Sequence, residues 1–356
     1  MNSKELNKLR LHIDELDEAI AELLERRLET ARAIGLAKGE SAVYDPVRED
    51  EVIHRLQKLH PGIASGALAA IQREIISLCR SVQAPLHVAC MGPGGSYSQQ
   101  AAFLATGRSV KILFVPDPRE AFQSVEKGDA DLAVVPVENT IEGVVYATLD
   151  GFYASERDLK VVREVRLPIR HVLASRSGEF RNIREVRSHP QALAQCRIWL
   201  NTHLPGIPRA PVSTTSTAAA MASEDDGLAA VCNELATEVN GLPILVRNIQ
   251  DHSHNTTRFW AVGRHEAEAS TENKTSLLFA VSHTPGSLLG ALEPLLEAEL
   301  NLTLIQSRPM PGNPFEYVFF VDLEGHIQDK RVSVALERMR TLCFRLRVLG
   351  SYPCRG

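Results

Sequence analysis

Residues 6–38 read LNKLRLHIDELDEAIAELLERRLETARAIGLAK, and the spacing of their apolar residues decides the architecture of the amino-terminal region. Leu6, Leu9, Ile13, Leu16, Ile20 and Leu23 alternate steps of three and four, which is one apolar stripe along a helix. Running to about Lys38, that helix is a rod of roughly 50 Å. Gly39 and the stretch to Pro46 break it. Asp45-Pro46 reads as an N-cap followed by proline at the first helical position, opening a second helix that stops at about Leu59, before Pro61-Gly62. A third helix carries Leu68, Ile71, Ile75, Leu78 and Val82 on one face and ends at Ala84-Pro85. A rod so much longer than its companions leaves its stripe in water, so this all-α, three-helix segment (1–84) is expected to dimerise by pairing its long helices.

Charge interrupts that stripe. Arg27 falls four residues after Leu23, followed on the same face by Ala31, Ile34 and Lys38. Eleven residues bring Lys38 within ~20° of Arg27 at an axial separation of ~16 Å, close enough for both to converge on one ligand. Arg10 lies ~25 Å from Arg27 along the rod. One small ligand can engage both only if a second chain supplies one of them. Arg48 shares a face with Val52, Leu56 and Leu59, and Gln83 lies one turn from Cys79. Singly these residues have ordinary explanations, such as Arg48 pairing with Glu29 or Glu74 and Gln83 capping the last helix. Four cations and an amide directed at one helical core imply a small dianion, because buried unpaired charge is costly and guanidinium forks suit carboxylates.

Composition bounds the partners. The 356 residues carry a net charge of −5, against a role in coating nucleic acid or an anionic membrane. No apolar run approaches the ~20 residues of a membrane span. Met1 to Arg27 is charged throughout without a signal-peptide core, so a cytoplasmic location is expected. The six cysteines form no Cys-x-x-Cys pair and read as free thiols. At ~150 residues per domain, two or three domains are expected.

From Leu86 strands and helices alternate. Strand-like runs are His87–Met91, Lys111–Val115, Asp131–Val137, Arg170–Ala174, Gly227–Cys232 and Phe259–Gly263, with helices such as Ser98–Ala105 and Gln191–Asn201 between them. The pattern predicts α/β architecture over 86–263, a doubly wound parallel sheet in one large lobe or two small ones, with ligands near the carboxyl ends of strands. Gly92-Pro93-Gly94-Gly95-Ser96-Tyr97-Ser98 opens a helix, an anion-binding position. It fits neither Gly-x-Gly-x-x-Gly nor the P-loop, which excludes a dinucleotide or ATP site. Three more polar runs sit where strands end: Pro136-Val137-Glu138-Asn139-Thr140, Ser188-His189-Pro190-Gln191 and Asn255-Thr256-Thr257-Arg258-Phe259. Singly they read as turn and cap chemistry, with Ser188 an N-cap. His252 and His254 beside Asp251 lack a third ligand, so no metal is expected.

A polar linker, His265 to Lys274, precedes a third unit (275–353). Strands Ser276–Val281, Leu302–Ser307, Tyr317–Leu323 and Arg345–Leu349 and helices Pro285–Leu300 (kinked or shifted by Pro294) and Lys330–Leu342 give a βαββαβ order, that of a ferredoxin-like α+β unit.

Arg10, Arg27, Lys38, Asp45, Arg48, Glu49 and Gln83 resemble, in type and spacing, the all-helical chorismate mutases. The resemblance implies that Arg10 of a partner chain joins Arg27 and Arg48 around the substrate's two carboxylates. Lys38 and Gln83 would then bind the ether oxygen and Glu49 the ring hydroxyl, and Cys79 stands where the family often has Ser. The polar runs of 86–263, with Asp131, Gly143, Gln195 and Cys196, resemble prephenate dehydratase. This implies Thr257 as catalytic hydroxyl, Asn139, Ser188, Gln191 and Gln195 in the cleft, and Arg258 or backbone N–H groups holding a carboxylate. Tyr146 and Asn233 depart from that pattern, which more often has Asn and Ser there.

Residues 275–353 resemble an ACT domain, with Gly286-Ser287-Leu288-Leu289 and Gln306-Ser307-Arg308-Pro309 as its phenylalanine motifs, Gln306 standing for the usual Glu. Together the three units resemble the bifunctional chorismate mutase/prephenate dehydratases: chorismate and prephenate as dicarboxylate substrates, no cofactor, a homodimer or larger homo-oligomer, and phenylalanine as feedback inhibitor. The rival readings are an arogenate dehydratase, a non-catalytic amino-acid sensor and an exported solute-binding protein.

Overall fold

The computed structural model describes residues 3–38, 44–155, 158–310 and 317–354. The chain divides into two compact units, residues 1–86 with 106–111, and the remainder.

In the first unit α1 (Ser3–Lys38) is unbroken, and most of the expected break after it, residues 39–43, lies outside the described residues. Helix α2 (Pro46–Leu59) begins as its sequence predicts: the Asp45 carboxylate accepts the Arg48 N–H at 3.0 Å and Pro46 follows the cap. Helix α3 (Ser65–Ser81) meets only the carboxyl-terminal turns of α1, where Ala31 is buried and a Cβ on Gly35 would lie 3.0 Å from the Gln83 Cα. The stripe on α1 is uncovered within one chain, with Leu9, Ile13, Ile20 and Leu23 54% to 59% exposed. The predicted face of α3 is corrected. Its buried residues are Leu68, Ile76, Ser77, Cys79 and Arg80, while Ile71 is 56% and Leu78 40% exposed. Apolar residues lie on more than one side of α3. Residues 106–111 select one of those sides, the Arg108 N–H donating to Glu74 and the Ser109 N–H to the Ser77 hydroxyl.

The second unit opens with β1 (His87–Met91), α4 (Tyr97–Thr106, whose last residue belongs to the first unit), β2 (Lys111–Val115), α5 (Pro118–Lys127), β3 (Leu132–Asn139), β4 (Gly143–Val144), α6 (Tyr146–Ala154) and β5 (Lys160–Pro168). A second lobe follows with β6 (Val172–Ser175), β7 (Glu185–Ser188), α7 (Pro190–Gln195), α8 (Arg197–His203), β8 (Arg209–Pro211), α9 (Thr215–Glu224), β9 (Leu228–Cys232), α10 (Glu234–Asn240) and β10 (Ile244–Arg247). Strand β11 (Thr256–Gly263) then returns to the first sheet, whose order is β2-β1-β3-β11-β5, against β10-β6-β9-β7-β8 in the second. Neither sheet is purely parallel, which corrects the expected architecture. β11 runs antiparallel to both β3 and β5, and β6 antiparallel to β9 and β10, while β1 with β3 and β7 with β8 and β9 are parallel. Strand direction depends on where the chain re-enters a sheet, which local pattern does not encode. The two crossings between lobes lie side by side, the Ile169 N–H donating to the Asn255 carbonyl at 2.8 Å.

The last six elements are β12 (Asn273–Ala280), α11 (Ser287–Glu297), β13 (Leu302–Pro309), β14 (Tyr317–Glu324), α12 (Lys330–Leu342) and β15 (Arg345–Pro353). They form the predicted βαββαβ order, with an antiparallel sheet β13-β14-β12-β15. Pro294 sits inside α11 without ending it. Lys274 is no linker residue: it is buried, its ammonium donating to both Glu164 oxygens at 3.0 and 3.1 Å. Strand β15 approaches the first lobe so closely that a Cβ on Gly350 would lie 2.2 Å from the Val161 carbonyl oxygen.

Candidate active sites

The helical unit brings together part of the expected set. Arg27 is half-buried and donates to the Ile75 carbonyl at 3.4 Å, while the Gln83 amide donates to the Cys79 carbonyl at 3.3 Å. Cys79 is buried beside them on α3. The Lys38 side chain lies outside the described atoms. Arg10 is exposed, and on an unbroken helix it stays ~25 Å from Arg27. Arg48 is corrected: α2 buries Pro46, Val47 and Ile53, which lie on a different side of the helix from the expected face. Arg48 is left exposed and pairs with Glu51 at 3.1 Å, not with Glu29 or Glu74. Glu49 forms an ion pair with Arg80, a buried cation that also bonds the Thr106 carbonyl. The apolar pattern of α3 gives no sign of Arg80, whose burial depends on residues 106–111 packing on that side of the helix.

Between the two lobes lies a cavity of about 520 Å³, lined among others by Asn139, His171, Gln191, Gln195 and Thr257. Thr257 faces it from β11, opposite Asn139 in the adjacent β3. The Asn139 amide is oriented by its own loop: its Oδ1 accepts the Ile141 and Glu142 N–H groups at 2.9 and 3.2 Å. Its Nδ2 is thereby aimed at Thr257 Oγ1 and Asn255 Oδ1, each at 2.8 Å. The line continues from Asn255 Nδ2 to Gln195 Oε1 (3.3 Å), which also takes the His171 Nε2–H (2.9 Å). The Tyr97 hydroxyl sits 2.8 Å from His171 Nδ1 and 2.8 Å from the Arg170 carbonyl. Burial lowers the His171 pKa against the opposing Gln195 hydrogen bond, and burial raises that of Tyr97, so both are held neutral. His171 immediately precedes a strand, β6, a position that the sequence pattern does not connect with the cleft.

Two expected cleft residues are elsewhere. Ser188 is fully buried, its hydroxyl donating to the Val231 carbonyl at 2.6 Å, and His189 rather than Ser188 caps α7. Arg258 follows Thr257 on a strand, so alternation sends it to the opposite face. There it is 11% exposed and pairs with Asp322 (2.7 Å), Glu138 (3.4 Å) and Glu164 (3.5 Å). It holds no carboxylate in the cleft. In the glycine-rich turn, Gly95 (φ +82°) is required by a close approach, since its Cβ would lie 2.7 Å from the Ala236 Cα. Asn233 caps α10, accepting the Ala236 N–H at 2.7 Å. Asp251 accepts the Ile198 and Trp199 N–H groups at the start of α8. Among the described residues no cluster of three or more His, Cys, Asp or Glu side chains is placed to hold a metal ion.

In the carboxyl-terminal unit Gly286 (φ +86°) caps α11 ahead of Ser287, Leu288 packs in the core and Leu289 is exposed. Gln306, Ser307, Arg308 and Pro309 lie on the edge strand β13, with the Gln306 amide donating to the Ser307 carbonyl at 3.0 Å. Arg308 forks onto Asp150 of α6 (Nε to Oδ1, 2.9 Å; Nη2 to Oδ2, 2.5 Å) and stacks over the Tyr146 ring at 4.4 Å.

The family model for chorismate mutase type II matches residues 9–84 and that for prephenate dehydratase residues 88–267. The chain is 42% identical over 357 residues to a bifunctional chorismate mutase/prephenate dehydratase of Aquifex aeolicus, covering 98% of each chain. Among solved structures it is similar to a prephenate dehydratase from Arthrobacter aurescens in complex with L-Phe (34% identity, TM-score 0.70, 76% of this chain and 90% of that one). It is also similar to a structure described as GqqA, a novel type of quorum quenching acylases (30% identity, TM-score 0.68, 76% and 98%). The chain belongs to the bifunctional chorismate mutase/prephenate dehydratase family. No described helix is long and apolar enough to cross a membrane.

Proposed function

We propose that this chain rearranges chorismate to prephenate in its helical unit and converts prephenate to phenylpyruvate, CO2 and water in the interlobe cleft. The ACT-like unit would bind phenylalanine as a feedback inhibitor, and the enzyme would work as a cytoplasmic homodimer or larger homo-oligomer. The observation that carries the second activity is the Asn139–Thr257 hydrogen bond. Because the amide N–H occupies a lone pair of Oγ1, the hydroxyl proton is left to point into the cavity, and accepting a bond makes it a better donor. It meets the leaving hydroxyl group of prephenate, which departs as water as the ring carboxylate leaves as CO2 and the ring becomes aromatic; solvent restores the proton. An acyl transfer would instead need a base against the Thr257 hydroxyl, whereas the group against it is an amide donor.

The mutase step is pericyclic and needs neither nucleophile nor proton shuttle. Its requirement is a held conformer and stabilised charge on the ether oxygen. With Arg10 and Arg27 so far apart on one helix, the reading requires Arg10 from a second copy, whose long helix would also cover the exposed stripe of α1.

The test is to supply chorismate and follow prephenate and phenylpyruvate together. Thr257→Ala should lower dehydratase kcat by about a hundredfold or more and leave the mutase rate unchanged. Equal loss of both would reject independent sites. Competition between prephenate and arogenate separates the aminated-substrate alternative.

A further inference from the structure

With Arg258 turned away, no lysine or arginine is among the described residues that line the cleft. What it does have is the start of α9, where Ser213, Thr214, Thr215 and Ser216 all border the cavity. The donors of this ten-residue helix can be accounted for one by one. Thr214 is the N-cap, its hydroxyl accepting the Thr217 N–H at 2.9 Å, and the Ala218 N–H closes the first helical bond to the Thr214 carbonyl. The Thr215 and Ser216 N–H groups precede those and have no intrahelical acceptor. A second observation stands apart from the helix terminus. Ser216 is 2% exposed, and its hydroxyl has no hydrogen-bond partner among the described residues. A buried hydroxyl without a partner at the wall of a cavity is a group waiting for a ligand.

We infer that the first turn of α9 is the carboxylate subsite of the cleft, with the Thr215 and Ser216 N–H groups and the Ser216 hydroxyl as its donors. It takes the side-chain carboxylate of the substrate, an α-keto acid; that substrate class rests on the dehydratase reading. The choice between the two carboxylates of such a substrate follows from the reaction. Donors holding the charge of the ring carboxylate would stabilise the ground state against loss as neutral CO2. The side-chain carboxylate keeps its charge from substrate to product, so a dipole and three neutral donors can anchor it throughout without opposing the chemistry.

The test is calorimetric titration of the full chain with phenylpyruvate and with phenylacetone, which carries a methyl group where phenylpyruvate has its carboxylate. The wild type should prefer phenylpyruvate. Ser216→Ala should weaken phenylpyruvate binding about tenfold, the size of one hydrogen bond to a charged group, and change phenylacetone less than twofold. A second variant removes a backbone donor together with the Thr215 side chain, and Thr215→Ala, which keeps the N–H and should bind both ligands within twofold of wild type, is its control. Thr215→Pro stands at the first helical position, where proline is accepted, after a Thr214 already extended (φ −146°, ψ 158°). It should reproduce the selective loss. Phenylpyruvate binding within twofold of wild type in both Ser216→Ala and Thr215→Pro, or equal weakening of both ligands, would overturn the subsite. A wild type that prefers phenylpyruvate yet fails to turn over prephenate would overturn the dehydratase reading and leave the subsite intact.

Discussion

Single residues in the cleft act through the orientation of their neighbours. Two backbone N–H groups fix the Asn139 amide, that amide fixes Asn255, and Asn255 and His171 share Gln195 Oε1. His171 has a consequence for stability. Burial depresses its pKa, so as pH falls through the ordinary value of 6.5 the unfolded chain takes up a proton first. Stability is therefore expected to decline below pH 6.5 until the folded-state pKa is passed. His171→Gln should flatten that part of the slope, read as the difference between the two proteins' urea unfolding free energies at pH 7.5, 6.5 and 5.5. Thr257 and Asn139 were legible in the sequence because each lies in a short contiguous polar run. Ser216 and His171 were not singled out, because each becomes informative only when its surroundings leave it buried and committed to the cavity.

At the scale of elements, helix starts are the most legible feature. Asp45-Pro46 predicts the start of α2 to the residue, since a cap is a local hydrogen bond. Faces are harder. Arg48 was expected inward and lies outward, and the line through Ile71 and Leu78 is exposed, because the side a helix buries depends on what packs on it. The long helix α1 carries its own prediction. If Arg10 serves the partner's site, Arg10→Ala and Arg27→Ala chains should each lack mutase activity. Mixing them under conditions that allow subunit exchange should restore about a quarter of the wild-type rate, because half the dimers are hybrids with one intact site of two. Absence of recovery, with exchange verified by a mass-tagged subunit, would rule out the shared site.

At the scale of the whole second unit, charge joins the carboxyl-terminal sheet to the catalytic lobe. Arg258 links β11 to Asp322 of β14, and Lys274 links β12 to Glu164 of β5. Arg258→Met leaves buried carboxylates uncompensated and should destabilise this unit by about 3 kcal/mol, measured by chemical denaturation. Asp322→Asn in the same background should recover part of it. The Arg308–Asp150 fork connects the segment proposed to bind phenylalanine to α6, which follows the Asn139 loop and β4. Asp150→Asn should raise the phenylalanine concentration for half inhibition several-fold, with uninhibited dehydratase turnover within twofold of wild type. Unchanged inhibition would mean that the signal travels by another route.

The amino-acid pattern was enough for the helical character of 1–84 and the βαββαβ order at the end, because caps and periodicity are local properties of the chain. The mixed sheets, the outward turn of Arg48, the burial of Arg80 and the withdrawal of Arg258 from the cleft were decided by tertiary structure. Each depends on which distant segment arrives beside a given face, and a strand or helix pattern leaves that open.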